Sequence, residues 1–216
     1  MNTMRYSQLL DTVGSEPLFE TPLLTIGDES PQRVQRRLSD WSRAGKIAPL
    51  RRGLYALPKG MRAIEPHPFV VANRLVAGSY VSLEMGLSCY SLIPEHVAVI
   101  TNVTTQRPTK RENEFGRFSY RHLHPRYFFG MEYRLVLDRQ YAYVAYPEKA
   151  LLDFIYLRPG GDSPLFIESL RLQHLEQLNI ERLYHFAARF NKLKLQRAAK
   201  VIHHLADVEA EEYELL

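Results

Sequence analysis

Residues 30–57 read SPQRVQRRLSDWSRAGKIAPLRRGLYAL, and the organisation of the first part of the chain turns on this stretch. Ser30-Pro31 opens a helix, because serine suits the N-cap and proline the first helical position, where an N–H would have no partner anyway. The helix is expected to run to Ala44, with Gly45 as its stop. Val34, Leu38 and Trp41 are spaced so that they share one face, which should pack inward. Gln32, Arg36, Ser39 and Arg43 fall on the opposite face, flanked by Arg33 and Gln35. After the helix, Ile47 to Leu50 reads as an extended segment and Arg51-Arg52-Gly53 as a turn. Leu54 to Leu57 returns as a strand before Pro58. Glycine supplies the positive φ of a tight hairpin, which places the two arginines at its tip.

Working outward, Met4, Leu9, Leu10 and Val13 mark a short helix that Gly14 ends, and Glu16-Pro17 breaks the chain. Thr21-Pro22 repeats the cap-and-proline signal and opens a short helix through Leu24 to Ile26, closed by Gly27. Two short helices joined by a glycine-containing turn, the second amphipathic and basic outside, make a helix-turn-helix, and the hairpin adds a wing. This expected winged helix-turn-helix spans residues 1–62. Charge supports it: between Ser30 and Arg62 there are nine basic residues and one acid, Asp40, inside a chain of net charge +4. A local basic patch attracts phosphate. Glutamine and arginine suit bidentate pairing with adenine and guanine edges. The reading therefore sends Gln32, Arg33, Gln35, Arg36, Ser39 and Arg43 into the major groove of double-stranded DNA. Arg51, Arg52 and Tyr55 go to its backbone or minor groove. The plainer alternative is a solvated helix face. Caps, apolar stripe and basic hairpin occurring together weigh against it.

Beyond Glu65-Pro66-His67-Pro68, which reads as a linker, residues 68–216 form a second expected domain. Helices are expected over Phe69–Val76 and from Ser82 through Leu83, Leu87 and Tyr90. Strands are expected at Val97–Thr101, Phe118–Leu123, Tyr133–Leu137 and Tyr141–Val144, with Thr104–Arg111 as a loop. Pro147-Glu148 opens a helix whose buried face is Ala150, Leu151, Phe154 and Ile155. The last third is helical, over Leu165–Gln173, Ile180–Phe190 and Lys192–Leu205. The fold class is α+β: an N-terminal winged helix-turn-helix and a mixed α/β C-terminal domain with a helical C-terminal third. No internal repeat or low-complexity tract appears.

The order of these motifs resembles the AbiEi antitoxins. Ser30-Pro31 leading into Val34-Gln35-Arg36-Arg37-Leu38, then Gly45-Lys46-Ile47 and Arg51-Arg52-Gly53-Leu54-Tyr55, is similar to the winged-helix domain of that family. Tyr80-Val81-Ser82-Leu83-Glu84 and Tyr146-Pro147-Glu148-Lys149-Ala150-Leu151-Leu152-Asp153 look like its C-terminal domain, and the second run is the more telling. The resemblance implies an antitoxin of a type IV toxin–antitoxin system. Such a protein represses its own operon through inverted repeats in the promoter, and counters a nucleotidyltransferase-like toxin with or without a stable complex. The alternative is a stand-alone winged-helix regulator whose C-terminal domain senses a ligand or mediates dimerisation.

Other chemistry is thinly represented. The only cysteine, Cys89, excludes an internal disulfide and cysteine-rich zinc sites, and its apolar neighbours suggest a buried, inert thiol. No apolar run approaches the length of a membrane span and the N-terminus is too polar for a secretory signal, so a cytoplasmic protein is expected. Glu148 and Asp153 could serve as catalytic carboxylates, but a dipole-stabilised Glu148 and an Asp153–Lys149 pair one turn apart are the simpler reading. His122 and His124 alternate as metal ligands sometimes do, yet stand between arginines as part of a basic surface. Lys192, Lys194, Arg197 and Lys200 make a basic helix face, read as solvated opposite a core side. Neither an enzyme nor a cofactor or metal is expected.

Overall fold

The computed structural model describes residues 4–24 and 30–214, with side chains to residue 211. The chain is mixed α and β, with eight α-helices and two sheets among the described residues. Its first part contains α1 (Tyr6–Val13), β1 (Phe19–Glu20), a 3-10 turn at Thr21–Leu24, α2 (Pro31–Arg43), β2 (Ala48–Arg51) and β3 (Leu54–Ala56). The expected continuation of the short helix to Ile26 and its stop at Gly27 lie outside the described residues. β3 is the middle strand of a three-stranded antiparallel sheet, order β1-β3-β2.

Because side chains alternate along a strand, β3 serves two cores at once. Tyr55, with Leu57 just beyond, joins Leu9, Val13, Phe19, Val34, Leu38 and Ile47, with Trp41 at the margin. Leu54 and Ala56 point the other way and, with Leu18, join a second cluster built on Val70, Val71, Val81, Phe118, Tyr120 and Val144. The middle strand β3 is therefore buried on both faces.

The rest of the chain contains α3 (Pro68–Leu75), β4 (Ser79–Val81), α4 (Leu83–Cys89), β5 (Val99–Thr104), β6 (Thr109–Asn113), β7 (Gly116–His122), β8 (Met131–Leu137), β9 (Gln140–Ala145), α5 (Pro147–Leu157), α6 (Pro164–Ser169), α7 (Ile180–Phe190) and α8 (Leu193–Glu214). Six strands form a mixed sheet in the order β6-β7-β5-β4-β9-β8. Tyr80, Val103, Leu123 and Ala145 pack toward α4, α5, α7 and α8, whereas Val81, Ile100, Phe118 and Val144 pack toward α3 and the N-terminal sheet. The expected helix at Ile180–Phe190 matches α7 at both ends. Four expectations need correcting. Thr104–Arg111 is not wholly a loop, because Thr109–Asn113 pairs with β7. α6 stops at Ser169 rather than Gln173, and α8 continues well past Leu205. Cys89 ends α4 on the surface and is exposed rather than buried.

The segment at 65–68 is not a loose tether. The Gln140 side chain clasps it, accepting from the His67 N–H at 2.8 Å and donating to the Glu65 carbonyl at 2.9 Å. Arg62 ahead of it has a side chain only 3% exposed, donates to the Leu57 carbonyl, and pairs with Glu65 at 2.8 Å and Glu114 at 2.5 Å.

Candidate nucleic-acid interface

α2 is held by its buried stripe. Val34 and Leu38 are fully buried and Trp41 meets Tyr6 edge to face, with ring centroids 5.6 Å apart. Ser30 takes the extended N-cap conformation with Pro31 behind it, and its carbonyl accepts from the N–H groups of Arg33 and Val34. The helix closes as a Schellman motif: Gly45 N–H donates to the Ser42 carbonyl and Lys46 N–H to that of Trp41. With both ends and one face fixed, the opposite face has one orientation. Gln32, Arg33, Gln35, Arg36, Ser39 and Arg43 are all exposed on it. Arg43 pairs with Asp40 at 2.6 Å, and the Ser39 hydroxyl donates to the Gln35 carbonyl one turn back. Both contacts lie at the surface and are of the kind a charged ligand displaces.

The hairpin treats its predicted residues differently. Strand β2 extends to Arg51, so the turn is Arg52-Gly53, with Gly53 at φ +81°. Arg52 is exposed at the tip. Arg51 instead turns inward, donating to the Arg74 carbonyl at 2.9 Å and pairing with Glu20 at 3.1 Å. These contacts tie the hairpin to α3 and β1. Tyr55 is 5% exposed and stacks on Phe19 at 5.7 Å, so it is a core residue and its ring is not available to DNA. A polar-tipped aromatic beside two arginines resembles a groove contact in sequence; strand alternation sends it inside. Arg62, its own side chain only 3% exposed, is likewise committed to Glu65 and Glu114. The outward basic surface is therefore narrower than the charge count implied, and centres on α2 and Arg52.

Behind the large sheet lies a polar cluster that the sequence shows only in outline. Lys149 and Asp153 form the expected pair one turn apart, but both are fully buried. The Asp153 carboxylate also accepts from Tyr80 Oη at 2.8 Å and Ser82 Oγ at 3.0 Å, and Lys149 donates to Tyr80 Oη at 2.8 Å. Rings of Tyr80, Phe129 and Phe190 surround the ammonium at 4.9–5.3 Å. Burial pushes the Asp153 carboxyl up and the Lys149 ammonium down, against their mutual attraction. Beside it Glu148, also buried, accepts from the Asn179 N–H at 2.7 Å and pairs with Arg182 at 2.7 Å. These contacts cross-link α5 to β4 and α7; Lys149, Asp153 and Glu148 are closed to solvent, whereas Arg182 reaches the surface. The serine and tyrosine that complete the cluster are far away in sequence, and only their neighbourhood in the Tyr80-Val81-Ser82 run hinted at them.

His122 and His124 do not converge: His122 faces the Gln106 carbonyl at 3.0 Å, and His124 caps a 3-10 turn by accepting from the Arg126 N–H. Among the described residues no group of three or more histidine, cysteine, aspartate or glutamate side chains is placed to hold a metal. On α8, Arg197 pairs with Asp162 at 2.6 Å and Lys194 donates to the Arg158 carbonyl, while Lys200 and, just ahead of the helix, Lys192 are exposed. No helix of the described residues is long and apolar enough to cross a membrane. No protein-family model matches the chain, and no curated protein matches it.

Proposed function

We propose that the chain is a DNA-binding autorepressor whose N-terminal part is a winged helix-turn-helix, and that it is the antitoxin of a type IV toxin–antitoxin pair. The order α1, β1, 3-10 turn, α2, β2, β3 with sheet order β1-β3-β2 supports the winged-helix reading. The observation that carries DNA recognition is the division of α2: Val34 and Leu38 are fully buried while Gln32, Arg33, Gln35, Arg36, Ser39 and Arg43 are all exposed on a helix rigidly closed at its end. Those side chains have the donor and acceptor patterns that discriminate base edges in a major groove. Arg52 at the hairpin tip supplies a phosphate contact. Antitoxicity against a nucleotidyltransferase-like toxin rests on the resemblance of the Tyr80–Glu84 and Tyr146–Asp153 runs.

A mobility shift on the DNA upstream of the gene tests the repressor half. Arg36→Ala is expected to cost about 1–3 kcal/mol on the operator and much less on unrelated DNA. Arg52→Ala is expected to weaken both equally and to reduce the log–log salt slope by roughly 0.9, the loss of one phosphate contact. Unchanged operator discrimination in Arg36→Ala would remove α2 as the reading helix. Growth rescue on co-expression with a neighbouring nucleotidyltransferase-like gene tests the antitoxin half. A toxin that still arrests growth would leave the protein a regulator alone.

A further inference from the structure

The six-stranded sheet has two edges, and they are built differently. One is β6, where Lys110, Arg111 and Glu112 are all exposed. Charge on an edge strand guards it against pairing with another chain. The other edge is β8, which shows Tyr133 at 61% and Leu135 at 51% exposure.

Hydrogen bonds on β9 tell which way the backbone of β8 points. Tyr146 N–H donates to the Gly130 carbonyl, in register with the pairs Glu132–Val144 and Arg134–Ala142. In an antiparallel ladder bonded and non-bonded pairs alternate, so Glu132 and Arg134 bond to β9 while Met131, Tyr133 and Leu135 do not. Tyr143, opposite Tyr133, agrees: its N–H turns away from β8 and donates to Asn73 Oδ1 at 2.6 Å. The N–H and C=O groups of Met131, Tyr133 and Leu135 therefore point out from the sheet, where no strand among the described residues pairs with them. The register shifts between Leu135 and Leu137, so the regular edge ends at Leu135.

The side chains select what fits this edge. A second copy, related by a two-fold axis normal to the sheet, lays its own β8 antiparallel against the first with one residue opposite itself. With Arg134 on the axis two arginines meet, and with Glu132 two glutamates. With Leu135 there, Glu132 meets Asp138, and with Met131 the overlap runs off the strand. Like charges directly opposite are destabilising. With Tyr133 on the axis, Glu132 lies opposite Arg134 twice and Met131 opposite Leu135 twice. Within one chain Glu132 and Arg134 form only a loose pair at 3.7 Å, with side chains 34% and 37% exposed. On the other face Tyr133 stands 4.9 Å from Tyr143, so two copies line up a row of tyrosines across the join.

We propose that the chain self-associates through β8, two copies pairing edge to edge about Tyr133 and joining their sheets into one. The ladder is short, Met131 to Leu135, so the dimer is weak and dissociates on dilution. It uses none of the residues assigned to DNA and stands whether or not the chain binds an operator.

Sedimentation velocity of the full chain without DNA, over about a hundredfold range of concentration, tests this. The wild type is expected to pass from monomer to dimer as concentration rises. Glu132→Arg and Arg134→Glu each set like charges opposite one another and should weaken association about tenfold or more, with circular dichroism unchanged. An equimolar mixture of the two should form a mixed dimer, because one carries two arginines where the other carries two glutamates. The double variant Glu132→Arg/Arg134→Glu should dimerise as the wild type does. Tyr133→Lys, which replaces an exposed ring and sets two ammonium groups face to face on the axis, should be monomeric; it decides the matter if a charge variant fails to fold. A wild type that is monomeric at every concentration overturns the proposal and leaves the edge for a different protein. So does a dimer that these substitutions leave intact, or a mixture of the folded single variants that stays monomeric.

Discussion

Single residues carry more than their type suggests. His67 caps α3 with Nδ1 accepting from the Phe69 N–H at 3.2 Å, and burial lowers its pKa below 6.5. The cap exists only while Nδ1 is unprotonated. In the unfolded chain histidine takes up a proton near pH 6.5, so just below that pH the unfolded state binds more protons than the folded one. The stability due to the neutral ring is complete above the unfolded pKa and is lost as the pH falls through the lower folded value. Thermal midpoints at pH 7.5 and 5.5 should therefore differ more for the wild type than for His67→Asn, which keeps an acceptor that does not titrate in this range. Equal differences would mean that His67 does not titrate as placed. Lys149 makes the opposite case, a charge held because its partner is held. Lys149→Met leaves the buried Asp153 with two hydroxyl donors and no cation, and should destabilise by about 3–5 kcal/mol in denaturant titration. A loss below about 1 kcal/mol would mean that the pair is already neutral in the folded protein.

At the scale of elements, α4 and α5 meet through a glycine. A Cβ on Gly86 would lie 2.9 Å from the Cβ of Ala150, closer than two such carbons approach. Gly86→Ala should cost about 1–3 kcal/mol through overpacking, and Ala150→Gly in the same chain should recover part of it. Purely additive losses would show that the helices do not touch there. Helices were the most legible elements, because Pro31 and Pro147 mark their starts and the apolar period marks their faces. The strands β4 and β6 were missed. β4 is too short for alternation to register, and β6 reads Thr-Lys-Arg-Glu-Asn, a polar run whose extended form rests on pairing with β7. The strands at Tyr133–Leu137 and Tyr141–Val144 were expected, but not that Tyr133, Tyr141 and Tyr143 would be exposed on one face. Alternation alone does not say which side of a strand faces solvent.

Across the whole molecule, the two parts expected as separate domains share a core. Leu18, Leu54 and Ala56 lie in one cluster with Val70, Phe118 and Val144, and Arg62 and Gln140 bind the segment between. Calorimetry should accordingly give one unfolding transition with van't Hoff and calorimetric enthalpies in agreement. Two resolved transitions would show that the shared cluster does not couple the parts. The same packing sets the outward surface of the hairpin, on which the proposed DNA contact rests. With Glu20 and the Arg74 carbonyl holding Arg51, the hairpin is braced against α3 and presents Arg52 alone.

The sequence by itself determined what depends on neighbours a few residues away: the start and stop of α2, its two faces, the tight turn at Gly53, the Lys149–Asp153 pairing and the extent of α7. Tertiary structure alone decided which of these residues face solvent. Arg51 turned inward because Glu20 and Arg74 were brought beside it. Tyr55 went inside because β3 is covered on both faces, and Asp153 became a buried centre because Tyr80 of β4 and Ser82 just after it were brought against α5. Local periodicity fixes the faces of an element, but burial is set by elements remote in sequence, and no short-range pattern encodes their arrival.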